Sequence, residues 1–344
     1  AFDLSEQLQE PVILRTTTRI NHSSGIVELK EMRPRVTKGA FKKDPMRCVT
    51  VPAVSRGLHV KLLETIKKAE ETANTSEYNF TEGQGPWGIV CNGVSYNYVT
   101  DALKDLSIAD KVKVLRIGFS HPMPTDLVKQ FIKGCEKILV VEEGEPYMEE
   151  MLKVFAQEEK LDLPIKGKDD DLFSRLYEFN PALVRQNVAS FFGVPYEAPS
   201  ATDLADVPEI PQRPPNLCAG CSHRATFYAL KQAAEGMDVV HPTDIGCYTL
   251  GFLPPLSMGD FLICMGSSVS SACGFSQATD QKVVSFIGDS TFFHSGMTGL
   301  VNAVYNNHNF TLVILDNGTT AMTGHQPHPG VDMDHFSMND NKQI

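Results

Sequence analysis

The chain has 344 residues, 42% of them hydrophobic, and a formal net charge of −11. That length holds two or three domains with ordinary cores. The acidic balance argues against nucleic acid or an anionic membrane as the main partner, and no stretch reads as a membrane span or a signal peptide.

Residues 5–9 read as a short helix, and 11–19, rich in β-branched residues, as a strand. Residues 20–50 are basic and turn-rich. Arg19 and His22 read as structural residues at a domain junction. Leu58, Leu62, Leu63 and Ile66 give 52–72 the period of a helix, one that would bridge two domains. Polar 74–85 reads as a linker, so that 51–84 forms a helical connector.

Residues 85–165 alternate between strands (87–91, 112–117, 137–142) and helices (95–106, 125–133, 147–159). Thr125 or Asp126 stands near the cap of the second helix. Such alternation predicts an α/β domain with a parallel sheet. Glu142, Glu143 and Glu145 after the third strand read as a solvated strand end. Residues 166–215 read as a linker carrying a helix near 181–191 and ending in proline-rich 208–215. A last domain, 216–344, then holds helices at 226–235 and 268–277. Its strands are 239–240, 283–287 and 311–315, with a crossover helix at 292–306. The chain begins at Ala1 within a pattern and stops in polar 337–343, as a piece of a longer polypeptide would.

The chemistry concentrates in two places. Strand 283–287 ends in Gly288-Asp289-Ser290, and strand 311–315 ends in Asp316-Asn317. Parallel sheets bind ligands beyond their strand carboxyl ends. Magnesium takes oxygen ligands and is commonly shared between a few protein groups and a diphosphate. Asp289 and Asn317 offer such oxygens 28 positions apart, with a helix between whose first N–H groups suit an anion. The pattern points to magnesium and thiamine diphosphate; the bland alternative is a pair of strand-end turns.

Cys218-Ala219-Gly220-Cys221 precedes a helix, and Cys247 follows 26 positions later. Three thiols fit an iron–sulfur half-site, a zinc or redox site, or no ligand role. His223 is a conceivable zinc ligand but reads as facing solvent or a helix end. The other cysteines, Cys48, Cys91, Cys135, Cys264 and Cys273, read as reduced packing residues of a cytoplasmic protein. An iron–sulfur cluster near the diphosphate would drain electrons from a 2-oxoacid decarboxylation. His294, at the head of the crossover helix, either faces the cofactor ring or is a polar helix-start residue. His325 and Gln326 either meet substrate or stabilise a loop with Pro327 and Pro329.

The segments LCAGCSHRATFYALK (217–231), DIGCYTLG (244–251), CMGSS (264–268), GDSTFFHSG (288–296) and DNGTTAMTGHQPHPG (316–330) carry a family likeness. So do PVILRTTTR near the start and PWGIVCNGVSYNYVTDAL. Together they resemble the alpha, or large, subunits of indolepyruvate:ferredoxin oxidoreductases, among the thiamine diphosphate-dependent 2-oxoacid:ferredoxin oxidoreductases. The resemblance implies a transketolase-like parallel-sheet diphosphate domain from 216 and a transketolase C-terminal-like α/β domain at 85–165. Residues 1–50 would be the tail of a pyrimidine-binding domain and a connector. It implies Mg²⁺ ligation by the side chains of Asp289 and Asn317 and the carbonyl of Thr319. Gly288, Ser290, Cys247, Tyr248, Thr320 and Ala321 would line the diphosphate. Met265, Gly266 and Ser267 would approach the thiazolium or pyrimidine. Cys218, Cys221 and Cys247 would hold a 4Fe–4S cluster whose fourth ligand is not in the chain.

The implied reaction is the oxidation of aryl 2-oxoacids to acyl-coenzyme A, in a hetero-oligomer with a beta subunit and with ferredoxin as acceptor. Most of the pyrimidine domain, with its activating glutamate, and the family's ferredoxin-like domain have no counterpart here, so this piece is expected to be inactive alone. Two rivals remain: a non-redox thiamine decarboxylase or carboligase, and a zinc-bound CxxC scaffold.

Overall fold

The computed structural model describes residues 1–29, 31, 39–198, 211 and 213–331. The turn-rich 20–50, the proline-rich 208–215 and the polar 337–343 lie partly or wholly outside the described residues. The chain divides into two units, Ala1–Asp203 and Leu204–Ile344. Among the described residues no helix is long and apolar enough to cross a membrane.

The first unit opens with short helices α1 (Phe2–Leu8), α2 (Thr18–Asn21) and α3 (Pro45–Cys48), then the long α4 (Pro52–Thr75). It continues β1 (Asn79–Gly83), β2 (Trp87–Asn92), α5 (Ser95–Asp105), β3 (Val112–Ile117), α6 (Thr125–Lys133), β4 (Lys137–Val141), α7 (Tyr147–Glu158), β5 (Ile165–Lys166) and α8 (Pro181–Phe192). The sheet order is β1-β3-β2-β4-β5. β2 to β5 run parallel, and β1 is antiparallel to β3. Alternate strand residues feed two cores. Ile89, Cys91, Val114, Leu139 and Val141 pack with Val99, Val184 and Val188 of α5 and α8. Val90, Leu115, Val140 and their neighbours pack with Val128, Met148 and Leu152 of α6 and α7. A sheet covered on both faces needs apolar residues at consecutive positions, and these strands supply them.

Several expectations fail here for physical reasons. Residues 11–19 form no strand; Ile13 and Leu14 are exposed, and no strand pairs with them among the described residues. Polar 74–85 is no simple linker: it holds edge strand β1. Asn79 anchors that strand by accepting from Gly118 N and Phe119 N, both at 2.8 Å, and donating to Ala73 O. An edge strand with one covered face does not need an apolar sequence. In α4 the predicted stripe of Leu62, Leu63 and Ile66 is exposed, and the buried residues are Thr65, Ala69 and Ala73. Nor is 166–192 a linker, since Phe173, Phe179 and α8 enter the core. Asn180 caps α8 by accepting from Leu183 N at 2.9 Å, and Pro181 starts it.

Arg19 is structural, as read: its guanidinium donates to Tyr98 Oη, Phe179 O and Glu178 Oε2. Glu142, by contrast, is not solvated but buried. Its carboxylate accepts from Met148 N (2.8 Å) and Glu149 N (2.9 Å), capping α7 from the strand before it. Burial pushes the carboxyl up to about 7, against the pull of those N–H groups and of Lys168.

The second unit carries α9 (Ser222–Ala233), β6 (Val239–Val240), α10 (Ser267–Ala278), β7 (Lys282–Gly288) and β8 (Thr311–Leu315). The three strands are parallel, in the order β6-β7-β8. The β7–β8 crossover is not one uniform helix. It starts at Asp289 as α11 (Asp289–Thr291), widens into a π turn at Phe292–Gly296, and continues as α12 (Met297–Tyr305). Gly296 lies against Ile287, where a Cβ would come within 2.6 Å of its side chain. Such single π turns recur at functional sites. The core gathers Leu217, Phe227, Tyr248, Met258, Phe286 and Leu315.

Candidate active site

The pairing of β7 with β8 sets the geometry. Gly288 stands opposite Leu315, so Asp289 and Asp316 leave the sheet side by side. Asp289 is buried, and its carboxylate is almost enclosed by donors. Oδ1 accepts from Ser290 N at 2.8 Å. Oδ2 accepts from Asn317 N (3.2 Å) and Gly318 N (2.8 Å), and His328 Nε2 lies 3.0 Å from it. Burial works against the charge. The N–H groups of Ser290 and Gly318, the Asp316 side chain and His328 nonetheless hold this carboxyl below its ordinary range. The two strand-end loops are thus joined through one carboxylate, and the Thr320 hydroxyl adds a 2.8 Å bond to Ser290 Oγ.

Asn317 meets Asp289 through its backbone, while its side-chain oxygen accepts from Thr319 N at 3.2 Å. Asp316, not singled out from the sequence, is the acidic side chain beside Asp289. The donor set of Asp289, Asp316, the Asn317 amide oxygen and the Thr319 carbonyl is all oxygen, which suits magnesium.

Tyr248 forms the floor. Its ring lies against Gly246 and Gly288, where added Cβ atoms would come within 2.3 and 2.5 Å of it. Glycine at both positions is therefore a packing requirement. The phenol donates to Ile245 O at 3.1 Å, and burial pushes its pKa up. Behind it, Asp244 is fully buried and accepts from Ile245 N, Gly266 N and Ser268 N at 2.8–2.9 Å. That carboxylate ties the Cys247 loop to the 264–268 turn; it opens the DIGCYTLG segment but was not singled out as a site residue. Gly266, at φ 83, would bring a Cβ within 2.3 Å of Ser295 Oγ. Ser267 Oγ closes the turn onto Cys264 O at 2.7 Å, and Met265 is exposed beside it.

His294 is exposed on the π turn. His325, at φ 60, and Gln326 are exposed too. The Gln326 side chain is engaged within its own loop, accepting from Thr323 Oγ1 and donating to Thr323 O, both at 2.7 Å. Ala321 begins a short 3₁₀ turn, Ala321–Thr323.

His223 corrects the sequence reading. It is buried, edge-on to the Tyr248 ring at 6.0 Å, and its pKa is lowered by burial against the pull of Asp289. It faces the site's interior rather than solvent.

Cys218 is exposed, while Cys221 and Cys247 are half-buried on the same apolar cluster. Burial raises the Cys247 thiol, and Cys218 and Cys221 lie near enough to raise it further. Among the described residues, no three His, Cys, Asp or Glu side chains converge as ligands of one metal ion. The three thiols are neighbours without forming a single-ion cage. All eight cysteines are free, but Cys48 and Cys264 are exposed rather than packing residues.

Residues 244–343 match the family described as thiamine pyrophosphate enzyme, C-terminal TPP binding domain. Over these residues the second unit thus combines a parallel-stranded α/β fold with a match to a thiamine pyrophosphate-binding family. Among curated proteins, the indolepyruvate oxidoreductase subunit IorA of Methanothermobacter thermautotrophicus is 47% identical, over 97% of this chain and 54% of its own length. IorA of Thermococcus kodakarensis is 42% identical over 96% of this chain and 54% of its own, and that of Archaeoglobus fulgidus 40% over 96% and 53%. The chain is similar to these IorA subunits along nearly all its own length, and it spans about half the length of the curated relatives it matches. A solved 2-oxoglutarate:ferredoxin oxidoreductase from Magnetococcus marinus matches 35% of this chain and 43% of its own, at 23% identity and a TM-score of 0.31. That likeness is too slight to argue from.

Proposed function

We propose that the chain is the diphosphate- and metal-holding part of an oxidoreductase subunit that converts aryl 2-oxoacids of the indolepyruvate kind to acyl-coenzyme A and CO₂. The observation that carries this reading is the Asp289 carboxylate at the β7 carboxyl end, with the Asn317–Gly318 backbone of the β8 loop folded onto it. Thiamine diphosphate, when bound, supplies the electron sink for decarboxylating a 2-oxoacid. Asp289, Asn317 and the Thr319 carbonyl would hold Mg²⁺ for the diphosphate, with Asp316 adding negative charge. Ser290 and Thr320 present hydroxyls to that anion, while Gly288, Cys247, Tyr248 and Ala321 shape its bed. Met265, Gly266 and Ser267 border the organic rings. His294 is the proton-moving group of this reading, and His325 and Gln326 are its substrate-facing residues.

Cys218, Cys221 and Cys247 would hold a 4Fe–4S cluster, which would supply an electron path toward ferredoxin. The full-length subunit works with a beta subunit in a cytoplasmic hetero-oligomer, with coenzyme A as acyl acceptor.

The test is anaerobic co-expression of the full-length subunit with its beta partner. Iron, thiamine diphosphate and coenzyme A-dependent dye reduction are measured over a panel of 2-oxoacids. The expected protein is brown, contains the cofactor and favours aryl substrates, and Asp289→Ala abolishes cofactor retention. A colourless protein with cofactor would point to non-redox thiamine chemistry. Zinc without cofactor would point to a scaffold.

A further inference from the structure

His328 was not among the residues singled out by sequence, yet among the described residues it is the one side chain outside the two strand ends that is both buried and hydrogen-bonded to Asp289. Its Nε2 lies 3.0 Å from Asp289 Oδ2, and its Nδ1 accepts from Gly330 N at 3.1 Å. With Nδ1 an acceptor, Nε2 carries the proton and donates. The ring stacks on Phe293 at 6.0 Å and 23°. Gly330 presses the loop end onto that same ring, since a Cβ there would come within 2.2 Å of Phe293.

Counting donors on the carboxylate separates its two oxygens. Oδ2 takes Asn317 N, Gly318 N and His328 Nε2, three donors on one oxygen. Oδ1 takes one backbone N–H, that of Ser290, and the Asp316 side chain also lies against the carboxylate. An ionised carboxylate offers about four lone-pair sites over two oxygens. Oδ2 therefore carries three of these donors and Oδ1 one, so Oδ1 is the less engaged oxygen.

We infer that His328 is a positioning residue: it completes the donor set on Asp289 Oδ2 and so leaves Oδ1 as the oxygen offered to the cation. This rests on the reading of Asp289 as a magnesium ligand. The same contact staples the 316–330 loop to the β7 end, so that one hydrogen bond sets both the carboxylate rotamer and the loop. Outer groups that orient a metal ligand characteristically change metal affinity by about 10- to 100-fold when removed.

The experiment uses the full-length subunit with its partner, stripped of metal and cofactor. Thiamine diphosphate binding is followed by calorimetry while Mg²⁺ is titrated. His328→Phe keeps a flat ring against Phe293 but loses the donor. His328→Gln loses the ring but can place an amide N–H near the former Nε2. The expected result is a Mg²⁺ midpoint raised ~10- to 100-fold in H328F and close to the parent in H328Q. A packing role predicts the reverse order, and that order, or equal midpoints in all three proteins, overturns the inference. If H328F does not fold, Phe293→Leu, which removes the ring that steadies the imidazole, is expected to raise the midpoint by a smaller factor; an unchanged midpoint again overturns it. A parent protein that binds no thiamine diphosphate at any Mg²⁺ concentration refutes the underlying site reading instead.

Discussion

The five-stranded sheet of the first unit and the three-stranded sheet of the second are built from similar residues but are buried very differently. Leu139 and Val141 at the centre of the first sheet are completely inaccessible. In the second, Ile314 on β8 is 41% exposed, and on α12 Val301 is 69% and Tyr305 84% exposed. The first sheet is closed by helices on both faces and is stabilised by apolar contact. The second places much of its apolar surface outward and concentrates its order at one edge, where Asp244 and Asp289 gather backbone N–H groups. Hydrophobic burial organises one region and charged hydrogen bonding the loops of the other. Perturbations should therefore separate them.

The largest expected effect lies in the first sheet. Leu139→Ala removes a fully buried side chain and should cost about 2–5 kcal/mol, the range for large-to-small core changes. Trp87, the chain's one tryptophan, stacks on Phe192 at 4.8 Å in this unit, so its fluorescence during urea unfolding reports the loss. A smaller shift would mean that this core can collapse around the gap.

Next comes the buried carboxyl of Glu142. Because its folded pKa is raised to about 7, the protonated form favours the folded state. Its contribution is complete below the ordinary carboxylate range and is lost as pH rises through 7. Stability read at Trp87 should fall by up to about 3 kcal/mol between pH 4.5 and 8, and Glu142→Gln should flatten that slope. An unchanged slope in the variant would assign the pH dependence to other groups.

In the second unit, Asp244→Ala strands three backbone N–H groups and should cost about 2–3 kcal/mol, the scale for buried donors left without a charged acceptor. Hydrogen exchange at Gly266 and Ser268 should accelerate while exchange in β2 and β4 stays as it was. Equal acceleration in both regions would show that the units unfold together. The smallest effect is expected for Ile314→Ala, about 1 kcal/mol or less because the side chain is already partly in water. A loss as large as that of Leu139→Ala would mean that β8 is covered in solution.

The sequence was most legible where a local rule sufficed. The strand–helix alternation of 87–158 and the β7 and β8 runs are written in their apolar periods, and each came out within a residue or two. That the loops carrying Asp289 and Asn317 lie side by side was visible because parallel strands aim their carboxyl ends the same way. It failed where a partner decides the outcome. Residues 11–19 have strand-forming side chains but no neighbouring strand among the described residues; the helix read over 52–72 is present, but its Leu62, Leu63 and Ile66 face outward. Strand β1 hid in a polar stretch because an edge needs only one apolar face.

The amino-acid sequence by itself determined the elements, the order of the two sheets along the chain, and which loops carry oxygen and sulfur donors. Only the tertiary structure decided how those donors are used. The Gly288–Leu315 register puts Asp316 beside Asp289, and the closure of the 316–330 loop brings His328 to the same carboxylate from 39 positions away. Burial then turns Glu142, Asp244 and His223 inward. The physical reason is that periodicity records which face of an element is apolar. A hydrogen bond between distant loops depends on distances of a few tenths of an ångström that no local pattern encodes.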